Sequence, residues 1–258
     1  MRFELETPRF DAELFPSEDD LGGGAVAVAP PARQARTSRR RAKARFDCPP
    51  AGVFELLARP LPRRKRLVDV IVSGTALVLL SPAMLVMALL VKGTSRGPVF
   101  FTQERTGTGM RRFRMYKFRT MTHRSDELRA KLGDRNEMTG PLFKMDDDPR
   151  LTTVGKWLRK LSLDELPQLW NVLRGDMTII GPRALSPVPS EYEPWQLRRF
   201  DVTPGLACTW QAESRGSTDF AGWMRSDLRY IDRGVTFRSD LRTFLRTVVA
   251  VVTCAGSR

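Results

Sequence analysis

The longest apolar stretch, residues 70–91 (VIVSGTALVLLSPAMLVMALLV), is uncharged throughout. It is long enough for the hydrocarbon core of a bilayer, which takes roughly 20 apolar residues. Ser81-Pro82 falls in its middle, where proline removes a helical hydrogen bond and favours a kink. Both flanks are basic: Arg63, Arg64, Lys65 and Arg66 precede it, and Lys92 and Arg96 follow. Positive flanks stay on the cytoplasmic side. The pattern therefore predicts a re-entrant helix, broken at Ser81 and Pro82, that enters and leaves by one face. Each half would reach about 16 Å, close to the bilayer midplane. A kinked spanning helix remains the competing reading. Asp69, at the inner edge, is expected to pair with neighbouring arginines.

The period then changes. Residues 99–103 and 113–118 read as strands around a turn at 106–109, a β-hairpin. Its second arm interleaves Arg111, Arg112, Arg114, Lys117 and Arg119 with aromatics. A solvated basic face and a set of phosphate contacts both fit that arm, since guanidinium forks match phosphate. A short exposed helix is expected over 125–132, and an acidic turn over 146–150 with solvated carboxylates.

Residues 157–183 (WLRKLSLDELPQLWNVLRGDMTIIGPR) place Trp157, Leu158 and Leu161, then Leu166, Leu169, Trp170 and Leu173, at helical spacing. Between the two sets stand Ser162, Asp164 and Glu165. Ser162 reads as an N-cap with Glu165 closing a capping box, and Pro167 suits the first turn. The carboxylates are thus expected at a helix start, where the dipole favours their ionised form. A plain cap fits this stretch; so does a carboxylate pair that holds a hard cation or supplies a nucleophile. A short strand is predicted at 177–180, a turn at 181–183, and an amphipathic or buried helix at 237–251 with Arg238, Arg242 and Arg246 at every fourth position. Trp210 fits the core, or stacking on a planar group.

Residues 1–60 lack apolar periodicity. They contain three consecutive glycines at 22–24 and an arginine-dense run over 33–45, which predicts a disordered basic arm. An arm beside a membrane is the simplest use, a nucleic-acid tail the alternative. The formal charge of +14 calls for acidic partners: anionic lipid, phosphorylated substrates or nucleic acid. His123 is the sole histidine, which nearly excludes histidine-based triads and multi-histidine metal sites. Cys48, Cys208 and Cys254 form neither a disulfide framework nor a zinc spacing. Chemistry must rest on carboxylates and cations.

From about residue 64 onward the chain resembles the bacterial sugar transferases, monotopic polyprenyl-phosphate hexose-1-phosphate transferases. The resemblance rests on ordered blocks: KRLVDVIVS…LLSPAML, GPVFFTQERTGTGMRRFRMYKFRTM, DDPRLTTVGKWLRKLSLDELPQLWNVLRGDMTIIGPR, TPGLACTWQ and DLRYI. It implies an α+β, mainly helical monotopic membrane protein. The domains would be a disordered basic extension (1–60), a re-entrant membrane helix with basic flanks (61–96) and a small cytoplasmic catalytic domain containing the hairpin (97–258). It further implies transfer of hexose-1-phosphate from a UDP-sugar to undecaprenyl phosphate, with release of UMP, at the cytoplasmic face of the bacterial inner membrane. Asp164 and Glu165 match the family's catalytic pair, the aspartate as nucleophile, with Mg2+ as cofactor at the same two residues. Arg159 matches a phosphate-binding arginine; Arg150, Arg183, Lys117 and Arg119 are further phosphate candidates. The implied partners are the UDP-sugar, undecaprenyl phosphate and inner-membrane lipid, with a second copy of the chain as an option and no nucleic acid. A non-catalytic scaffold for polysaccharide assembly is the alternative.

The chain departs from the family pattern at Ala184, at Thr203 and Cys208, and at Glu213-Ser214. These positions fall where the resemblance places the donor pocket, so an altered donor and a weakened activity both stay open.

Overall fold

Helix α1 spans Arg63–Thr94 and is, by length and composition, long and apolar enough to cross a membrane. A computed structural model describes residues 58–253, apart from 123–124, 126–127, 129–131, 133–134, 146, 187–188, 215–217 and 235. The chain divides between residues 45 and 46, and every described residue lies in the unit Phe46–Arg258. Residues 1–57 of the predicted basic arm lie outside the described residues. So do His123, Asp146, Arg215, Cys48, Cys254 and most of the helix expected over 125–132.

Helix α1 continues through Ser81-Pro82 without interruption, so the expected break is not a gap in the helix. Pro82 has no N–H to offer the Val78 carbonyl four residues back. The Ser81 hydroxyl takes that place, donating to the Val78 oxygen at 2.8 Å. A serine before the proline thus keeps the orphaned carbonyl satisfied.

The buried positions of α1 are Asp69, Ser73, Met87 and Val91. They fall in two clusters near its ends, while Val78 and Leu79 between them are 72% exposed. The distal cluster packs Met87 and Val91 on Phe118 and Leu158. At the proximal cluster Asp69 does not pair with arginine as expected. Its carboxylate accepts from Thr178 Oγ1 at 2.7 Å and from the Ile179 N–H at 3.1 Å. The nearby Arg66 instead donates to the Val172 and Leu173 carbonyls, the electronegative end of a helix, where a cation is favoured.

Strands β1 (Phe100–Thr106) and β2 (Arg112–Phe118) form the predicted antiparallel hairpin, with Phe101 opposite Lys117 and Arg105 opposite Phe113. Helices α2 (Thr153–Lys160) and α3 (Gln168–Arg174) follow. Strand β3 (Thr178–Ile180) pairs in parallel with β4 (Gly205–Ala207), a strand that the turn-rich sequence around residue 204 concealed. A Cβ on Gly205 would lie 2.1 Å from the Gly181 nitrogen, so glycine is required where these backbones close. Helices α4 (Thr209–Ser214), α5 (Phe220–Asp232) and α6 (Phe237–Val252) complete the body. One core cluster joins Phe220 and Met224 of α5 to Met110 and Phe200, and another joins Tyr230 and Ile231 of α5 to Ile180.

Two of the helically spaced apolar residues are not buried. Trp157 is 71% and Trp170 49% exposed, whereas Leu158 and Leu169 are buried. Helical spacing selects a face without saying how wide the covered stripe is, and here only its centre is covered.

Candidate active site

The site begins where α2 seats on the chain leaving the hairpin. Thr152 caps α2, its Oγ1 accepting from the Gly155 N–H at 2.9 Å. A Cβ on Gly155 would stand 2.0 Å from the Thr120 carbonyl oxygen, so only glycine lets the helix approach so closely. The same Thr120 receives the Thr152 N–H on its carbonyl at 3.0 Å and Arg159 Nε on its hydroxyl at 3.1 Å. The contact that packs α2 therefore also aims Arg159.

After α2, Ser162 adopts φ 56°, ψ 20°, a left-handed conformation, and makes no capping bond. The predicted capping box is absent: Ser162 turns the chain instead, and α3 begins only at Gln168, with Pro167 at its N-cap. The carboxylates occupy a separate 3₁₀ turn, Leu163–Glu165. Successive side chains diverge by about 120° in such a turn, so the adjacent acids enter different surroundings.

Glu165 is saturated. Its Oε1 accepts from Lys117 Nζ at 2.9 Å and from Arg183 Nη2, and its Oε2 accepts from Arg183 Nη1 at 3.2 Å. Burial alone would raise its pKa, but the Arg183 and Lys117 charges outweigh burial and hold the carboxyl far below the usual range. Asp164 is also buried, yet among the described residues its carboxylate accepts no hydrogen bond. Burial pushes its pKa up, and Glu165 adds to this against the pull of Lys117 and Arg159. The expectation that a helix start and nearby arginines would lower it is therefore corrected: desolvation dominates. One acid is a locked anion; the other keeps free lone pairs.

Asp164 lines a cavity of about 340 Å3 together with Arg105, Lys117, Arg119, Arg150 and Arg159. Four of the five predicted phosphate candidates thus share one wall; the fifth, Arg183, opens on an adjoining cavity of about 290 Å3. Their availability differs. Arg119 spends one nitrogen on Ser95, at 2.7 Å to its carbonyl and 2.8 Å to its hydroxyl. Its Nε and Nη1 are buried without a partner among the described residues. Arg150 is committed to Asp148, Nε and Nη2 reaching its two oxygens at 2.8 and 2.6 Å. Asp148 is buried rather than solvated as expected; burial favours its neutral form, but the Arg150 fork prevails and lowers its pKa.

Arg105 was missed by sequence reasoning. It lines both cavities, with Nε buried and unpartnered among the described residues, and burial and the nearby Arg183 pull its pKa down to about 10. The usable signal was the hairpin register, because period-two alternation puts Arg105 on the same face as Lys117. Asn171 fixes that face against α3. Its side chain donates to the Arg114 carbonyl at 2.7 Å and accepts the Tyr116 N–H at 3.1 Å.

Trp210 and Trp223 line the second cavity with Gln211 and Ala184, and the two indoles stack on each other at 5.8 Å. Of the departures, Ala184 therefore faces the cavity. Thr203 accepts from the Thr108 hydroxyl at 3.1 Å. Cys208 is buried, its thiol pushed up to about 12 by burial. Glu213 points to α6, where Arg246 Nη1 donates to it at 2.8 Å.

Residues 62–254 match the bacterial sugar transferase family. The chain is 37% identical over 198 residues to the exopolysaccharide production protein ExoY of Rhizobium meliloti (strain 1021), covering 75% of this chain and 87% of that protein. It is 38% identical over 208 residues to the UDP-glucose:undecaprenyl-phosphate glucose-1-phosphate transferase of Caulobacter vibrioides, covering 75% and 73%. Against the galactosyl transferase CpsE of Streptococcus agalactiae it is 41% identical over 166 residues, 63% of this chain but only 36% of the longer protein. The matched segment contains α1, the carboxylate turn and the arginine-lined cavity alike, and by that match the chain belongs to the bacterial sugar transferase family.

Proposed function

We propose that this protein transfers hexose-1-phosphate from a UDP-sugar to undecaprenyl phosphate, giving undecaprenyl-diphosphate-sugar and UMP. The observation that carries the reading is Asp164: a buried carboxylate with no hydrogen-bond donor among the described residues, opening on a cavity walled by cations. A carboxylate so placed is a nucleophile towards phosphorus. One Asp164 oxygen forms a bond to the sugar-bearing phosphorus as the bond to the bridging oxygen breaks and UMP leaves. The acceptor's phosphate oxygen then attacks the same phosphorus, and the Asp164 carboxylate is released. Arg119, Arg105 and Arg159 neutralise the phosphoryl oxygens, which is most of what such a transfer requires. Lys117 and Arg183, held by Glu165, keep the carboxylate wall in register, and their charge offsets part of the cost of ionising Asp164.

Mg2+ fits one of its two expected ligands as they stand. Asp164 has a free oxygen to offer, while both Glu165 oxygens are engaged by Lys117 and Arg183. No group of three or more metal-ligating side chains occurs among the described residues. Asp164 with the donor's phosphate oxygens would hold the ion, since Mg2+ usually takes one or two carboxylates and completes its shell with phosphate and water. When bound it supplies charge neutralisation at the diphosphate.

The re-entrant placement of α1 is part of the same proposal. Both ends of the helix pack on one body while its middle is bare. A polar catalytic body stays out of hydrocarbon, so both ends belong on one side, the cytoplasmic one by their charge.

The test is UMP release by purified full-length protein in detergent or nanodiscs, given undecaprenyl phosphate, Mg2+ and a panel of UDP-sugars. Release with one donor, lost in Asp164→Asn, is the expected result. No release with any donor would overturn the reading in favour of a scaffold.

A further inference from the structure

The apolar surface near the site is organised as a path. A cavity of about 710 Å3 opens between the foot of α1 and helix α6, with Val68 and Val72 on one side and Leu241 and Phe244 on the other. A second cavity, about 240 Å3, adjoins it: the two share Ile179 and Phe244. The second ends at Glu165 and Gln211, and Gln211 also lines the donor-side cavity that contains Arg183. An almost wholly apolar trough therefore runs from the membrane helix to the fork between Glu165 and Arg183.

Its floor is pinned by polar groups that are already satisfied. Lys65 is bonded to Asp240 and to the Ile180 carbonyl, and Tyr230 donates to Asp240 at 2.8 Å. These groups therefore shape the trough without asking for a polar ligand. The outer mouth carries the exposed Arg64. Along α6, Leu245, Val248 and Val249 are exposed, beside Arg238, Arg242 and Arg246, which is the pattern of a helix lying in a membrane interface.

We infer that this trough is the seat of the acceptor's isoprenoid chain. The chain would enter between α1 and α6 from the bilayer, pass Phe244, and deliver its phosphate to the Glu165–Arg183 end. This rests on the proposed transfer reaction for the identity of the acceptor. The supporting arguments are Gln211, shared at one end with the Arg183-lined cavity that in turn shares Arg105 and Lys117 with the Asp164 cavity, and the bare apolar face of α1 at the other end, together with an apolar lining that suits a hydrocarbon chain and not its headgroup. At the phosphate end Glu165 holds Lys117 and Arg183, and both cations line the adjoining cavity, where a phosphate monoester is complementary in charge.

The test has two arms on the full-length protein in nanodiscs of phosphatidylethanolamine and phosphatidylglycerol. First, p-benzoylphenylalanine replaces Leu241 and radiolabelled undecaprenyl phosphate is added before illumination. A labelled adduct that unlabelled undecaprenyl phosphate displaces, and phosphatidic acid does not, is expected. No adduct, equal displacement by phosphatidic acid, or crosslinking only to the protein's own N-terminal segment would overturn the inference. Second, Phe244→Trp narrows the neck between the two cavities. We expect at least a tenfold rise in KM for undecaprenyl phosphate, with KM for the UDP-sugar and kcat on a short-chain prenyl phosphate unchanged. An unchanged KM for the long acceptor, or equal loss on both acceptors, would overturn it. The arms separate this inference from the reaction itself: an adduct without UMP release leaves the trough and removes the transferase reading, and UMP release without an adduct does the reverse.

Discussion

Asp69 of helix α1 and Thr178 of β3, 109 residues apart, are joined by a 2.7 Å hydrogen bond in the protein interior. Asp69 also receives the Ile179 N–H, so one carboxylate ties the foot of α1 to the small parallel sheet. Asp69→Ala strands both donors, each at a cost of about 1–3 kcal/mol. Asp69→Asn, which keeps one carbonyl acceptor, should cost less. Unfolding midpoints in detergent measure this; equal midpoints for wild type and Asp69→Ala would refute the tie.

The carboxylate pair should split by phenotype. Asp164→Asn removes the proposed nucleophile and disturbs no side-chain hydrogen bond among the described residues. Activity should fall on the order of 10³-fold or more, with stability within about 1 kcal/mol of wild type. Glu165→Gln leaves Lys117 and Arg183 without their anion and should destabilise by about 3–5 kcal/mol. UMP release and thermal melts, run on both variants, decide the matter; the opposite ordering of stability would reverse the assignment.

Gly155→Ala would force a Cβ against the Thr120 carbonyl. The backbone there cannot give, so overpacking of about 1–3 kcal/mol is expected. Arg159 would shift with Thr120, so donor KM should rise in step with the loss of stability. A variant with wild-type melting and wild-type KM would show that α2 seats differently.

Asp227 is buried against Arg199, which donates to it at 2.9 Å and also to Tyr192 and to the Arg183 carbonyl. Burial pushes its carboxyl up to about 6, against the pull of Arg199. The folded state therefore binds this proton more tightly than the unfolded chain. The resulting stability is present at low pH and lost as pH rises through about 6. Between pH 4 and 6 the wild type should gain stability on acidification from this group, and Asp227→Asn should lose that part of the slope. Melting curves across that window give the answer, and parallel slopes would discount it.

If α1 is re-entrant, single cysteines at Arg63 and Arg96 should both react with a membrane-impermeant maleimide in inverted vesicles and in neither case from outside intact spheroplasts. Labelling of the two from opposite sides would establish a spanning helix. Pro82→Ala restores the N–H for Val78 and removes the bend-permitting residue, so it should favour the spanning form in the same assay.

What the sequence determined by itself was local and compositional. The uncharged run before Lys92, the basic flanks, the hairpin, the strand before Gly181 and the Asp164-Glu165 pair all follow from periodicity, turn residues and charge, which act over a few neighbours. The motif blocks that carry the family resemblance are likewise short and contiguous. Which acid is free and which is locked was not of that kind. It depends on Lys117 and Arg183, brought to Glu165 from β2 and from the turn after β3, and on burial that raises Asp164 against its charged neighbours. Adjacent residues look equivalent in a sequence and diverge only once a 3₁₀ turn points them apart. Arg105 was hidden because strand register, not spacing, puts it with Lys117. The exposure of Trp157, the burial of Asp148 and the trough between α1 and α6 were decided by which faces the folded body covers. Those are long-range packing outcomes, and no window of sequence contains both partners.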